Sequence, residues 1–362
     1  MSDLTKKNPE HKVYLDVLRI MCITLVVFNH TPAYNQPILS PIIDNLFTLL
    51  ISISVKIAVP IFFMISGGVL LKKEESLSYL LCKRVFRFIL AIILFSLIQY
   101  SYVSYLRGTD PLLIGYVVVF LNPCILTIYA HVAWFLYAYL GFLLMLPLLR
   151  LMVRNISCSI CVYAVALFLF FQVVLPSVVY LGSEKISKLE IMTYIPLFSD
   201  AGTFAILFFI AGYYIEEKVR IEKVSLKCFC CLALLSFVFI VADGLLTCHA
   251  AKTSDIYSKT VEQFPWFSSA VFPACVFIYL LVKKIFLSWN ISPRFQWLLS
   301  KLGGAVFTVF FIENILRNAY SPLFENYNKE YWPSVWVALL TVASGLVIGL
   351  IVKQIPGLKK IL

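Results

Sequence analysis

Apolar runs of roughly 20 residues recur along this chain, and that pattern fixes the solvent it folds in. About 20 residues of helix are needed to cross the ~30 Å hydrocarbon layer of a bilayer. Ten runs come close: 13–33, 44–71, 84–106, 131–153, 158–176, 200–216, 225–247, 267–287, 302–320 and 333–352. With 61% hydrophobic residues, 14% charged residues and a mean hydropathy of +0.91, a water-soluble domain is excluded. The expected fold class is all-α, a polytopic integral membrane protein with about ten transmembrane helices. The fifth to seventh runs are the weakest, and 107–130 is apolar enough for a re-entrant or interfacial helix. There is no internal repeat and no low-complexity tract.

Orientation follows from where Lys and Arg fall. On the side holding both chain ends lie 22 of the 30 cations, and 7 lie on the other, with Lys56 inside the second run. The positive-inside rule then puts both termini in the cytoplasm and the protein in the cell (inner or plasma) membrane as a multi-pass chain. One domain is expected over 1–362, with cytoplasmic tails at 1–12 and 353–362. The external segments 34–43, 107–130, 177–199, 248–266 and 321–332 are too short to fold separately. The first run follows a charged stretch, MSDLTKKNPEHK, and precedes no small-residue cleavage pattern, so it is expected to stay as a span.

The formal charge of +11 does not indicate nucleic acid, because the cations are scattered between apolar runs rather than gathered on one face. Nor do the ten cysteines indicate a metal: Cys228, Cys230 and Cys231 have no histidine nearby, and Cys248-His249 is too small a set for zinc. Packing within apolar runs explains them better.

Chemistry concentrates in Tyr14–His30, YLDVLRIMCITLVVFNH. Arg19 and His30 have ten residues between them, roughly 16 Å along a helix axis. Ionisable groups in lipid cost about 2.5–3.5 kcal/mol each, so the pair needs a reason. A neutral imidazole at position 30 can act as a base toward a hydroxyl or accept an acyl group; it would equally serve to hydrogen-bond a neighbouring helix. Asp16 shares a helical face with Arg19 at i and i+3. Lys56 lies deep in the second run, and its expected partner is Glu313 of the ninth, as a structural or a catalytic pair. In the same second run Pro60 should kink the helix, and Ser66-Gly67-Gly68 should let another backbone approach.

The third run opens KRVFR, so Lys83, Arg84 and Arg87 form a basic group suited to phosphate, although cytoplasmic flanks carry such groups routinely. His131 and Trp134 mark the outer end of the fourth run, where they would anchor the interface or guide an acceptor.

Four stretches together resemble one family. Arg19 with His30, VPIFFMISGGVLL followed by KRVFR, AWFLYAYLGFLLMLPLLR, and FFIAGYYIEE are similar in order and spacing to the membrane acyltransferase family 3, whose members O-acylate glycans outside the cell. The resemblance implies ten core helices, a cytoplasmic acyl-coenzyme A donor and an external acceptor. It makes His30 the essential histidine, Arg19 the first-span arginine, and Arg84 and Arg87 the basic pair that meets the donor. Near the ninth span, Glu313 stands where the family often has a second histidine.

The function implied is transfer of an acyl group, most simply acetyl, from acyl-coenzyme A as co-substrate to a hydroxyl of a surface glycan or lipid-linked acceptor. No permanently bound cofactor or metal is expected. Asp16 and Arg19 would position the donor, with Lys83 beside the basic pair; Lys56 and Glu313 would set the charge near His30. A transporter or exporter of surface glycan also predicts many spans and buried charges. It is disfavoured by the missing internal repeat.

Overall fold

The computed structural model describes residues 12–32, 50, 51, 53–110, 113–121, 133–171, 201–253, 271–327 and 330–358. The helices are α1 (Val13–Asn29), α2 (Ala58–Leu70), α3 (Phe86–Leu106), α4 (Leu113–Leu121), α5 (Ala133–Asn155), α6 (Cys158–Leu169), α7 (Ala201–Glu217), α8 (Leu226–Thr253), α9 (Phe272–Ser288), α10 (Pro293–Tyr320) and α11 (Tyr331–Val352). No strand occurs among the described residues. Four stretches are long and apolar enough to cross a membrane: Trp134–Asn155, Leu226–Leu245, Pro293–Leu323 and Tyr331–Val352; the helical stretch Val55–Leu70 is apolar but shorter.

The centre of the bundle is α1, which packs against α2, α9, α10 and α11. Its sequence has no glycine or proline between Val13 and Asn29, and Leu18, Cys22, Ile23, Val26 and Val27 are all buried. A helix apolar on every side belongs inside other helices. It ends at His30, and Pro32, two residues on, cannot continue the ladder.

Close crossings are made by small residues. On Gly67 of α2 a Cβ would fall 1.7 Å from the carbonyl oxygen of Phe209, and on Gly212 of α7 it would fall 1.9 Å from that of Met64. The close approach expected at Ser66-Gly67-Gly68 is therefore made by α7. Dispersion and lost lipid contact, rather than hydrophobicity, reward such proximity in a membrane. The expected kink at Pro60 takes the form of a 3-10 turn, Val55–Ile57, just ahead of α2. Proline has no N–H for the carbonyl four residues back, so the ladder tightens there.

Two of the departures from the expected limits have a local cause in the sequence or the backbone. The run expected from 302 begins at Pro293, because Ser292 caps it by accepting a hydrogen bond from the Phe295 N–H and proline occupies the first turn. A π-helical turn, Leu80–Val85, precedes α3 and carries Lys83 and Arg84. In the 107–130 segment, α4 is a nine-residue helix packed on α3, with Tyr116 edge-on to Tyr100 at 4.7 Å.

Basic residues gather at one end of the bundle. There the buried Glu216 carboxylate at the end of α7 accepts from Tyr14 Oη at 2.6 and 2.8 Å, from Tyr279 Oη at 3.3 Å and from Lys12, with Lys283 Nζ 3.3 Å away. Four donors from α9 and the start of α1 offset the cost of burying that charge, and they lock three helices together.

Candidate active site

At the basic end of α1, Arg19 Nη1 donates to Asp16 Oδ1 at 2.7 Å. Asp16 is itself buried against Gly303 of α10, where any side chain would meet the carboxylate at 2.6 Å. The pair seen in the sequence is thus real, and Asp16 aims Arg19 rather than facing open space. Arg19 lines a cavity of about 1370 Å³ together with Lys83, Arg84 and Arg87. The volume exceeds the roughly 300–1,000 Å³ of ordinary small-molecule sites. Its lining also includes the aromatic residues Phe62, Phe135, Tyr139 and Phe310.

Arg84 is also held by an acid that the sequence did not pair with it. Its Nε donates to Glu75 Oε2 at 2.9 Å, and its Nη2 is also bound by that carboxylate. Arg150, buried near the end of α5, donates from Nη2 to Glu75 Oε2 at 3.0 Å and from Nε and Nη2 to the Leu70 carbonyl at 3.2 and 3.0 Å. Hydrogen bonds from Arg84, followed by those from Arg150, hold the Glu75 carboxyl below its ordinary range against the effect of burial. One fork of Arg84 is therefore committed to the protein, so an anion in the cavity meets its remaining edge.

At the opposite end of α1, His30 Nδ1 lies 3.2 Å from Glu313 Oε1, with side chains 11% and 3% exposed. The second oxygen of Glu313 lies 3.5 Å from Arg317 Nε, one turn further along α10. Neither contact has the alignment of a directed hydrogen bond, and Nδ1, Oε2 and Nε are all buried. Arg317 Nη2 donates to Asn314 Oδ1 at 3.1 Å, Asn314 Nδ2 reaches Gln99 Oε1 at 3.4 Å, and Gln99 Nε2 donates to the Phe311 carbonyl at 2.9 Å. This ties the polar end of α10 to α3.

The expected partnership of Glu313 with Lys56 is replaced: its carboxylate faces His30 and Arg317, while Lys56 sits in the 3-10 turn before α2. A cation one helical turn away on Glu313's own helix reaches it without crossing the bundle. Trp134, at the start of α5, stands edge-on to Phe135 at 6.3 Å, beside the aromatic wall. His131 lies outside the described residues.

His30 is not among the residues lining the cavity. Phe135 stacks on Phe310 at 5.4 Å and Phe62 meets Phe310 at 5.6 Å. Phe310, which lines the cavity, is one turn from Glu313 on α10.

A carboxylate facing Nδ1 favours the proton on that nitrogen and leaves Nε2 to act as base or nucleophile. A profile of an acyltransferase domain matches residues 12–353. The chain belongs to acyltransferase family 3. No curated relative and no solved structure matches it significantly. Acyl transfer is thus the family's chemistry, and the long apolar helices make this member a membrane protein. In this family-3 acyltransferase, sequence reasoning missed Glu75, Arg150 and Arg317. The last had a readable signal, since Glu313 and Arg317 are spaced i and i+4.

Proposed function

We propose that this acyltransferase carries an acyl group, most simply acetyl, from cytoplasmic acyl-coenzyme A to a hydroxyl of an extracytoplasmic glycan or other surface acceptor. In this reading the bundle has about ten spans with both termini cytoplasmic, and its basic end faces the donor. The supporting observation is that one helix, α1, presents Arg19 to a large basic-mouthed cavity and His30 to Glu313 at its far end. Coenzyme A is too charged to cross, but its pantetheine arm is narrow and of about the length from Arg19 to His30. Arg84, Arg87 and Lys83 meet the phosphates, Asp16 fixes Arg19 beside them, and the arm runs up between α1 and the aromatic wall. Lys56 contributes positive charge on the same half of the bundle as His30, and Trp134 flanks the route.

In direct transfer, His30 Nε2 takes the proton of the acceptor hydroxyl as its oxygen attacks the thioester carbonyl. The tetrahedral adduct collapses, the carbon–sulfur bond breaks, and the imidazolium returns the proton to the leaving thiolate. In the two-step form, Nε2 itself attacks the thioester, the carbon–sulfur bond breaks and coenzyme A leaves as its thiolate; the acceptor hydroxyl oxygen then takes the acyl group from the acyl-imidazolium, and the hydroxyl proton released balances the one the thiolate takes up. In both, Glu313 stabilises the positive imidazole and Arg317 keeps Glu313 in place.

His30→Ala, assayed with labelled acetyl-coenzyme A and membranes carrying the surface glycan, should lose acyl transfer by about 10²-fold or more. Transfer near the wild-type rate would sink the proposal. Arg84→Ala combined with Arg87→Ala should raise KM for the donor while the protein still accumulates in the membrane.

A further inference from the structure

The cavity wall carries one more cation, which the sequence presents only as a flank. Lys353 follows the last residue of α11 and lines the same cavity as Arg19 and Arg87. Its Nζ lies across Gly304 of α10, 2.7 Å from where a Cβ on that glycine would stand. Gly303, the preceding residue, receives Asp16 in the same way. Two adjacent glycines thus let the Asp16–Arg19 pair and the Lys353 ammonium lie on one patch of α10.

No aspartate or glutamate lines the cavity among the described residues, whereas five cations do. Arg19 and Arg84 have acidic partners, Asp16 and Glu75, but no ion pair is formed by Lys353 among the described residues. Burial pushes the Lys353 ammonium below its ordinary pKa, and Arg87, Lys301 and Arg19 push it further, with Asp16 opposing them. Crowded cations of this kind call for an anion with more than one charge.

We propose that Lys353 and Arg87 form a second phosphate subsite of the donor pocket, distinct from the Glu75-held Arg84, and that it binds one of the phosphates of acyl-coenzyme A. This rests on the donor reading above. A nucleotide bearing a diphosphate and a separate 3′-phosphate presents two anionic groups, and two basic subsites in one cavity match that distribution. Gly304 is then required because a side chain there would displace the Lys353 ammonium.

The test is donor kinetics. K353Q should raise KM for acetyl-coenzyme A about tenfold, as expected for one charge-assisted contact, with most of kcat retained, and K353R should restore KM. With 3′-dephospho-acetyl-coenzyme A as donor, a vanishing penalty assigns the subsite to the 3′-phosphate and a persisting one assigns it to the diphosphate. An unchanged KM in K353Q overturns the proposal. If the Arg84/Arg87 double variant also leaves KM unchanged, the donor reading itself fails; a raised KM in that variant alone confines the failure to Lys353. A second measurement needs no variant: coenzyme A, but not pantetheine, should protect Lys353 of the wild-type protein from an amine-reactive reagent, read by mass spectrometry. Equal labelling with either compound would also overturn the subsite.

Discussion

Glu313 is where the polar chemistry of α10 turns on single atoms. Its two oxygens face different groups, the His30 imidazole and the Arg317 guanidinium, so removing its charge should leave the imidazole uncompensated when it takes up a proton during transfer. Glu313→Gln is expected to lower kcat about tenfold or more with the donor KM little changed. A matching rise in KM would instead assign the residue to donor binding. Glu75 makes a pH prediction. Its carboxyl is depressed in the folded protein, so its pairing contributes stability above the ordinary carboxylate range and loses it as pH falls through the folded value. Melting temperatures of the detergent-solubilised wild type and of Glu75→Gln should differ at pH 7, and the difference should shrink as the pH falls below the ordinary carboxylate range. Constant separation across that range would mean that charge plays no part in the clamp. Arg19, Asp16 and His30 were legible in the sequence because all three sit on one helix, whose period fixes their relative faces. Glu75 and Arg150 were not, since the residues are 75 positions apart and only folding brings them within 3.0 Å.

The elements respond to substitution according to how closely they cross. Where α2 meets α7 at Gly67 and Gly212, backbone touches backbone. Gly67→Leu should abolish accumulation of folded protein, at a cost of about 4 kcal/mol or more. Gly141→Leu serves as the control, since a Cβ at Gly141 meets nothing within 4 Å. Equal yields of the two variants would show that the crossing is looser than described. The aromatic layer between α2, α5 and α10 carries a kinetic consequence. If the acyl arm must part Phe62, Phe135 and Phe310 to reach His30, Phe135→Trp should slow acyl transfer several-fold while binding of coenzyme A alone stays unchanged. The glycines of α2 were readable as a close approach, but not the identity of the partner: any of the apolar helices could have supplied it. The start of α10 was missed because hydropathy marks where lipid begins, whereas Ser292 and Pro293 mark where the helix begins.

Among the described residues the molecule is polarised along α1, with five cations, Arg19 among them, lining the cavity and the His30–Glu313–Arg317 group at the far end of the helix. A green fluorescent protein fused after residue 362 should fluoresce, as it does in the cytoplasm, whereas one inserted between residues 34 and 43 should not. The reverse pattern would invert the assignment of donor and acceptor ends. The sequence by itself determined the solvent, the helical class, the family and the two ends of α1, because each is a property of composition or of spacing along one helix. Only the tertiary structure decided which charges share a space. Which carboxylate meets His30, which acid holds Arg84 and how Lys353 comes to face Arg19 all depend on helix crossings set by glycines, and contacts between distant segments leave no period in the chain to read.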